Sequence, residues 1–113
     1  MNPDEFLAAL LAIYPSFELA WEEETAISNG YWDDALTFQR IVMTFCQYFG
    51  VEAPKASSQQ LLETAMLING AVEAGGELEI AVSTGLLEHL HQIEATNYLR
   101  PHLSERAIQE LQR

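Results

Sequence analysis

The chain has 113 residues, of which 49% are hydrophobic, so it is long enough to bury one core and too apolar to remain disordered. Seventeen acidic residues stand against five lysines and arginines, which gives a formal net charge of −12. A surface this acidic repels nucleic-acid phosphates and anionic membranes, and it attracts a basic partner. The alternative explanation of the charge is that it only keeps the protein soluble.

We expect residues 1–113 to form a single helical domain, because the length is typical of one domain and no linker interrupts the sequence. No apolar run reaches the length of about 18 residues that a membrane-spanning helix needs. The N-terminal stretch carries Asp4 and Glu5 where a signal peptide would be basic, so we interpret it as an amphipathic helix. One cysteine, Cys46, excludes an internal disulfide and fits a cytoplasmic protein.

The sequence predicts helices throughout, since no stretch alternates apolar and polar residues for long enough to predict a strand. Pro15, Asn29-Gly30 and Gly50 supply stop signals between them. The predicted helices cover about 2–14, 16–28, 31–49, 58–74 and 77–93, and a short final helix follows Ser104. We therefore expect an all-α fold, a compact bundle of five to six helices.

Two of these helices are expected to form the centre of the bundle. Helix 58–74 is apolar on nearly every side, and Gly75-Gly76 joins it to helix 77–93 as a hairpin. Within helix 77–93, Ala81 and Gly85 lie one turn apart, which lets a neighbouring helix approach closely. We expect helix 58–74 to fill this notch, so that a bulky residue at Gly85 would overpack it.

Residues that carry catalysis or bind metals are few and poorly spaced for either role. His89 and His91 lie two apart and point to different sides of a helix, whereas a zinc pair needs a spacing of three or four. Cys46 follows Phe45 in an aromatic segment with no local base, so we interpret it as a buried structural residue. The sequence therefore predicts no enzyme, no metal site and no cofactor.

Acidic residues occur in two groups, and these are the candidate binding residues. Runs of like charge usually form a solvated helix face, and the functional alternative is a surface that meets a basic protein. The first group is Glu22, Glu23, Glu24, Asp33 and Asp34, and the second is Glu73, Glu77 and Glu79.

Two segments of the chain carry a family resemblance. One is Tyr14-Pro15-Ser16-Phe17 followed by Trp21-Glu22, and the other is the stretch AVSTGLLEHL at 81–90. They resemble a family of small helical bacterial proteins of unknown function, whose members look like immunity proteins. Such proteins are cytoplasmic antidotes to secreted or contact-delivered toxins. The resemblance extends over about residues 5–111, and its pattern is structural, so it assigns no catalytic residue.

The resemblance implies an immunity or antitoxin-like protein that binds a cognate, basic protein toxin and neutralises it by occlusion. The residues themselves leave two other classes open. One is a general protein-interaction adaptor or a homodimeric structural module without catalytic activity. The other is a small all-α enzyme, which would need a concave pocket holding an acid or base with a perturbed pKa. The oligomeric state and the identity of the toxin are not determined by the sequence.

Overall fold

Most of the residues that the structure describes are helical. A computed structural model describes residues 1–27 and 36–112, with no β-strand among them. The α-helices there are α1 (Pro3–Ile13), α2 (Phe17–Ile27), α3 (Phe38–Glu52), α4 (Ser58–Ala74), α5 (Gly76–Gly85), α6 (Thr96–Leu99) and α7 (Glu105–Leu111). Short 3₁₀ turns occupy Ala53–Lys55, Leu87–His89 and Arg100–His102. The all-α class is confirmed for the described residues, which hold seven helices where five to six were expected.

Side-chain caps begin three of the helices where the sequence predicts them. The Asn2 side chain accepts from the Glu5 backbone N–H at 2.8 Å, and the Glu5 carboxylate accepts from the Asn2 N–H at 2.9 Å. Ser57 and Gln60 form the same reciprocal capping box at the start of α4. The hydroxyl of Ser104 caps α7. Because these caps satisfy backbone donors that a helix leaves unpaired, the local sequence alone sets these boundaries.

The third helix differs from its prediction at both ends. The hydroxyl of Thr37 caps α3, which therefore begins at Phe38 instead of near residue 31. The predicted stop at Asn29-Gly30 and the predicted helical residues 31–35 lie outside the described part of the chain. Gly50 does not end the helix as expected. It remains helical. It also packs closely against Ile93, since a Cβ added at Gly50 would lie only 3.1 Å from the Ile93 Cβ.

The predicted helix 77–93 is wrong beyond its midpoint. It ends at Gly85, and the backbone of Leu86 leaves the helical region with φ −127° and ψ −60°. A straight helix would place Leu87 about 100° from Leu86 and about 60° from Leu90. After the break, all three leucines are at least 97% buried. The chain therefore leaves the helix where three closely spaced leucines enter the core.

The notch at Gly85 is real, but its occupant was predicted wrongly. A Cβ at Gly85 would lie 2.8 Å from Cγ1 of Val42, so the helix that fills the notch is α3 and not α4. Farther along the chain, Gly50 contacts Ile93 in the same way. Since Val42 precedes Gly50 and Gly85 precedes Ile93, the two stretches run side by side in the same direction.

The glycine turn between α4 and α5 is confirmed, and α4 differs from its prediction on one side only. Gly75 and Gly76 have φ values of 73° and 66°. Residues with a Cβ adopt such values only at a cost in conformational energy. α4 contacts α1, α5, α6 and α7, as expected of a central helix. However, it is not buried all round, because Leu62 and Met66 are 37% and 60% exposed on its outer side.

α2 packs antiparallel to α3 through aromatic contacts. At one end, the ring of Phe17 lies 5.4 Å from that of Phe45 and 5.1 Å from that of Tyr48. One turn later in α2, the ring of Trp21 lies 5.3 Å from the guanidinium of Arg40, near the start of α3. Aromatic pairs of this kind contribute about 0.5–1.5 kcal/mol beyond the area they bury.

A buried hydrogen-bond chain ties α1 to α4. The hydroxyls of Tyr14 and Thr64 are 2.8 Å apart, and the Thr64 hydroxyl donates its proton to the Gln60 carbonyl at 2.7 Å. A hydroxyl has one proton, so Tyr14 must be the donor to Thr64. The Tyr14 ring also contacts that of Phe49 at 6.2 Å, which brings α3 into the same cluster.

The buried apolar side chains form one cluster, which extends along the chain from Phe6 to Ala107. The radius of gyration is 13.1 Å, and a compact chain of about 100 residues has a value of about 13 Å. In the ranges that the structure describes, none of the helices has the length and apolar character to cross a membrane.

One side-chain amide holds the C-terminal segment against α4. Asn69 donates to the backbone carbonyl of His102 at 3.1 Å and accepts from the backbone N–H of Ser104 at 2.8 Å. Its two groups thereby bind both sides of the turn that leads into α7, although 33 and 35 residues separate the partners.

We expect Gly85→Ala to lower the free energy of unfolding by about 1–3 kcal/mol, because the new Cβ overlaps a methyl of Val42 and a β-branched side chain in a helix cannot rotate away. Gly70→Ala is the matched control, since open space surrounds that position in α4, and it should stabilise by up to about 1 kcal/mol. Urea unfolding measures both. Adding Val42→Ala should make Gly85→Ala less costly, and full additivity in the double variant would contradict the proposed contact.

We expect Asn69→Ala to destabilise the protein by about 1–3 kcal/mol, because it removes two hydrogen bonds and leaves backbone groups unpaired. Hydrogen exchange should show faster amide exchange across α7. Asn97, which is exposed, provides the matched control as Asn97→Ala and should change the free energy of unfolding little. Unchanged exchange in α7 would show that the Asn69 amide does not hold this segment.

Candidate protein-binding surface

The first acidic group lies on α2, and the helix divides it. Consecutive residues of a helix point about 100° apart, so three adjacent glutamates cannot share one face. Glu23 and Glu24 line the groove between α2 and α3, whereas Glu22 lines a different depression on α2, with Trp21. Glu22 and Glu23 are exposed and Glu24 is half-buried. The other two candidates of this group, Asp33 and Asp34, lie outside the described residues.

The second acidic group surrounds the turn between α4 and α5. Glu73 and Glu77 are exposed there. Glu79 is engaged within the protein, since its carboxylate lies 2.7 Å from the guanidinium of Arg106 on α7. Of the three carboxylates predicted for this patch, Glu73 and Glu77 are therefore exposed, and Glu79 is paired with Arg106.

Of the four lysines and arginines that the structure describes, one is buried and one is paired with a carboxylate at the surface. Arg40 is only 6% exposed, with its guanidinium over the ring of Trp21. Arg106 is half of the ion pair with Glu79. Lys55 and Arg100 are the exposed cations at other described positions. The sequence did not predict the burial of Arg40, because arginine is mostly exposed in proteins.

A groove of about 280 Å³ at the start of α3 is lined by Thr37, Phe38, Gln39, Glu77, Ile80 and Ala81. Two further grooves flank the rest of α3 on its solvent side. The α2–α3 groove has a volume of about 280 Å³ and is lined by Ala20, Glu23, Glu24, Thr44, Gln47 and Tyr48. The α3–α5 groove has a volume of about 240 Å³ and is lined by Met43, Cys46, Gln47, Gly85, His89, Gln92 and Ile93. Gln47 lies in both, so the two grooves are neighbours on one face of the molecule.

A line of uncharged side chains, which we name the α3 ridge, follows the outer side of α3 at a spacing of four. It consists of Gln39, Met43, Gln47 and Val51. Met43 and Val51 are 41% and 68% exposed. The sequence patterns did not single out this ridge, because helix prediction follows the buried stripe. The available signal was the absence of acid from residue 38 to residue 51 in a chain with seventeen acids.

The α3–α5 groove contains a cysteine and a histidine, the residue types most often used in catalysis and metal binding. Cys46 is 7% exposed, and burial raises the pKa of its thiol above the ordinary value of 9.0. It is therefore held as a protonated thiol at neutral pH and is a poor nucleophile. His89 is half-buried, with Nδ1 2.9 Å from Oε1 of Gln92. Among the described residues, no group of three His, Cys, Asp or Glu side chains is placed to hold a metal ion.

Comparison of this chain with known protein families, curated proteins and solved structures found no match. The resemblance to immunity proteins therefore stays a prediction from the residues that carry it. Several of those residues are buried, among them Tyr14, Phe17, Leu86 and Leu90. Their position in the core agrees with the interpretation of the pattern as structural.

We expect the protein to lose stability as the pH rises above about 9. Burial raises the pKa of Cys46 above 9.0 and that of Tyr14 above 10.0. The unfolded chain then releases these protons at a lower pH than the folded chain does, so stability is fully present below the unfolded pKa values and is lost as the pH rises through the folded ones. Urea unfolding between about pH 8 and 11 measures the effect. In Cys46→Ala the decline should begin later, and a flat curve for the parent chain would contradict the prediction.

Proposed function

We propose that this chain is an immunity or antitoxin-like protein, which binds a cognate basic protein toxin and neutralises it by occlusion. The observation that supports this most directly is the unequal placement of charge. Two of the five lysines and arginines are engaged within the protein, Arg40 beneath Trp21 and Arg106 with Glu79. Exposed carboxylates meanwhile occur on several helices, including Glu23 on α2 and Glu73 on α4.

This charge distribution suits rapid capture of a cation-rich protein. A net charge of −12 attracts a basic surface from a distance, and such steering raises association rates from about 10⁵–10⁶ to as much as 10⁸–10⁹ M⁻¹s⁻¹. Capture must be fast if a toxin is to be blocked before it acts. The helices that carry the acids are packed against one core, so the backbone positions of these residues are fixed before binding.

The dimensions of the chain suit occlusion. A standard interface covers about 800 Å² on each partner, whereas the chain has an accessible surface of 6429 Å². One face of a body measuring 38 × 31 × 24 Å is thus wide enough to cover a cleft on another protein. Neutralisation of this kind needs one copy per toxin and no catalytic residue.

The alternative of a homodimeric module is favoured by a different surface. On α4, Leu62 and Met66 are 37% and 60% exposed one turn apart. Pairing two copies there would bury both side chains, but it would also bring together two chains of −12. Sedimentation at several salt concentrations separates the two functions, because screening favours self-association and weakens the capture of a basic partner.

The proposal predicts that co-expression with this chain rescues cells from the protein that the neighbouring gene encodes. The complex of the purified proteins should weaken as salt is added. Glu22→Gln/Glu23→Gln and Glu73→Gln/Glu77→Gln each remove two exposed carboxylates from one candidate group. At least one of these double variants should slow association by about tenfold or more, because the steering charge lies near the contact.

Glu63→Gln/Glu88→Gln provides the matched control, since it removes two exposed carboxylates from outside both groups. It should slow association much less than whichever of the two test variants slows association more. A neighbouring gene product that is harmless alone, or that kills equally well in the presence of the parent chain, would refute the function. Equal slowing by all three double variants would show that total charge matters and that neither group is the binding surface.

A further inference from the structure

We infer that the solvent face of α3, formed by the α3 ridge and the α2–α3 groove beside it, is the surface that receives the basic partner. This inference rests on the proposed function and assigns that function to one face. The occupant is a protein segment that combines an apolar side chain with a lysine or arginine. Its apolar group packs on Met43, and its cation enters the groove beside Glu23 and Glu24.

The first support is the composition of the ridge. The central parts of protein interfaces are depleted of charged residues and enriched in methionine and aromatic residues. The α3 ridge has this character, with Met43 41% and Val51 68% exposed in alternation with Gln39 and Gln47. Methionine is also flexible enough to adapt to the shape of a partner. The core has no need of these exposed side chains, since the opposite side of α3 supplies its buried residues.

The second support is the chemistry of the adjoining α2–α3 groove. Glu23 and Glu24 line it together with Thr44, Gln47 and Tyr48, and Glu23 and Gln47 are the exposed polar residues among them. The Thr44 hydroxyl donates to the Arg40 carbonyl and the Tyr48 hydroxyl hydrogen-bonds to Ser16, which leaves oxygen lone pairs as acceptors. Carboxylate, amide and hydroxyl oxygens all accept hydrogen bonds from a guanidinium or an ammonium group. The complementary charge for this groove is therefore positive, while the ridge beside it takes an apolar group.

The third support is the asymmetry of the face. Beside Met43 and Gln47, the α3–α5 groove on the other side of the ridge has no carboxylate among its lining residues and contains His89 and Gln92 instead. Glu77 lines only the separate groove at the start of α3, beside Gln39. A partner whose basic residues lie along one edge of an apolar strip can satisfy both sides in only one orientation. Charge on one side of the ridge thus sets the direction in which a partner lies.

The fourth support is the rigidity of the helix beneath the ridge. Val42 is packed against Gly85 and Gly50 against Ile93 on one side of α3, and Phe45 packs against Phe17 on the other. The backbone of a helix that is fixed on both sides loses little freedom on binding, which favours affinity.

The test compares two double variants in binding to the purified product of the neighbouring gene. Met43→Ala/Gln47→Ala alters the ridge, and Met66→Ala/Gln59→Ala makes the same chemical changes at exposed positions of α4. We expect the ridge variant to weaken binding by about tenfold or more, mainly through faster dissociation, and the α4 variant to change it by less than about twofold. Urea unfolding of both must match the parent chain, which their exposure predicts.

A charge comparison completes the test. Glu23→Gln should mainly slow association and reduce its dependence on salt, whereas Glu63→Gln on α4 should do neither. A merely structural role for Glu23 would change the unfolding midpoint and leave the salt dependence as it is in the parent chain.

The outcomes separate this inference from the function on which it rests. If the parent chain fails to neutralise the toxin, the proposed function fails and the inference fails with it. If the parent chain neutralises the toxin and the ridge variant binds as tightly as the parent chain, only the assignment to α3 is overturned. Greater weakening by the α4 variant would move the interface to α4. A parent dimer that the ridge variant dissociates would show that a second copy of this chain occupies the face.

Discussion

The fold depends on the contact between Gly85 and Val42, where α5 meets α3 with no side chain between the backbone of one and the methyl groups of the other. Because the helices meet so closely there, the chain can leave the helix at Leu86 and still bury the leucines that follow. The same path brings Ile93 onto Gly50, which lies about two turns after Val42 on α3. A side chain at either glycine would separate the two stretches, and the core leucines between them would lose their contacts.

The position of α3 determines which surface the protein presents. α5 holds it on one side and α2 on the other, while α1 contacts it through rings such as that of Tyr14. One side of α3 is left to solvent, and that side has no acidic residue between Phe38 and Val51. Beside this face, the cation of Arg40 is buried against Trp21, whereas the carboxylate residue Glu23 is exposed. The residues that stabilise the fold and those that would meet a partner are consequently different residues on the same helix.

Local signals explain what the sequence predicted well. The capping box of Ser57 and Gln60 and the turn at Gly75 depend only on neighbouring residues, and the predicted bounds of α4 are those observed. The end of α5 was not predictable in this way, because no local stop signal marks Leu86, and the leucines that follow pack in a core assembled from distant residues. The pairing of Glu79 with Arg106, 27 residues away, was hidden for the same reason. Both acidic groups were visible as composition, but their division between helix faces required the packed structure.

Charge alone would make a poor inhibitor. Under the proposed function, the uncharged ridge therefore supplies the contact that slows release of the partner. Attraction between exposed charges is screened beyond about 8 Å at physiological ionic strength, so it speeds encounter more than it slows release. Long residence requires apolar contact that excludes water around a few anchoring side chains. The carboxylates beside α3 suit the first task, and Met43 and Val51 suit the second. Acid at Met43 or Gln47 would add to an attraction that the net charge of −12 already provides, and it would remove the surface on which a captured partner is held.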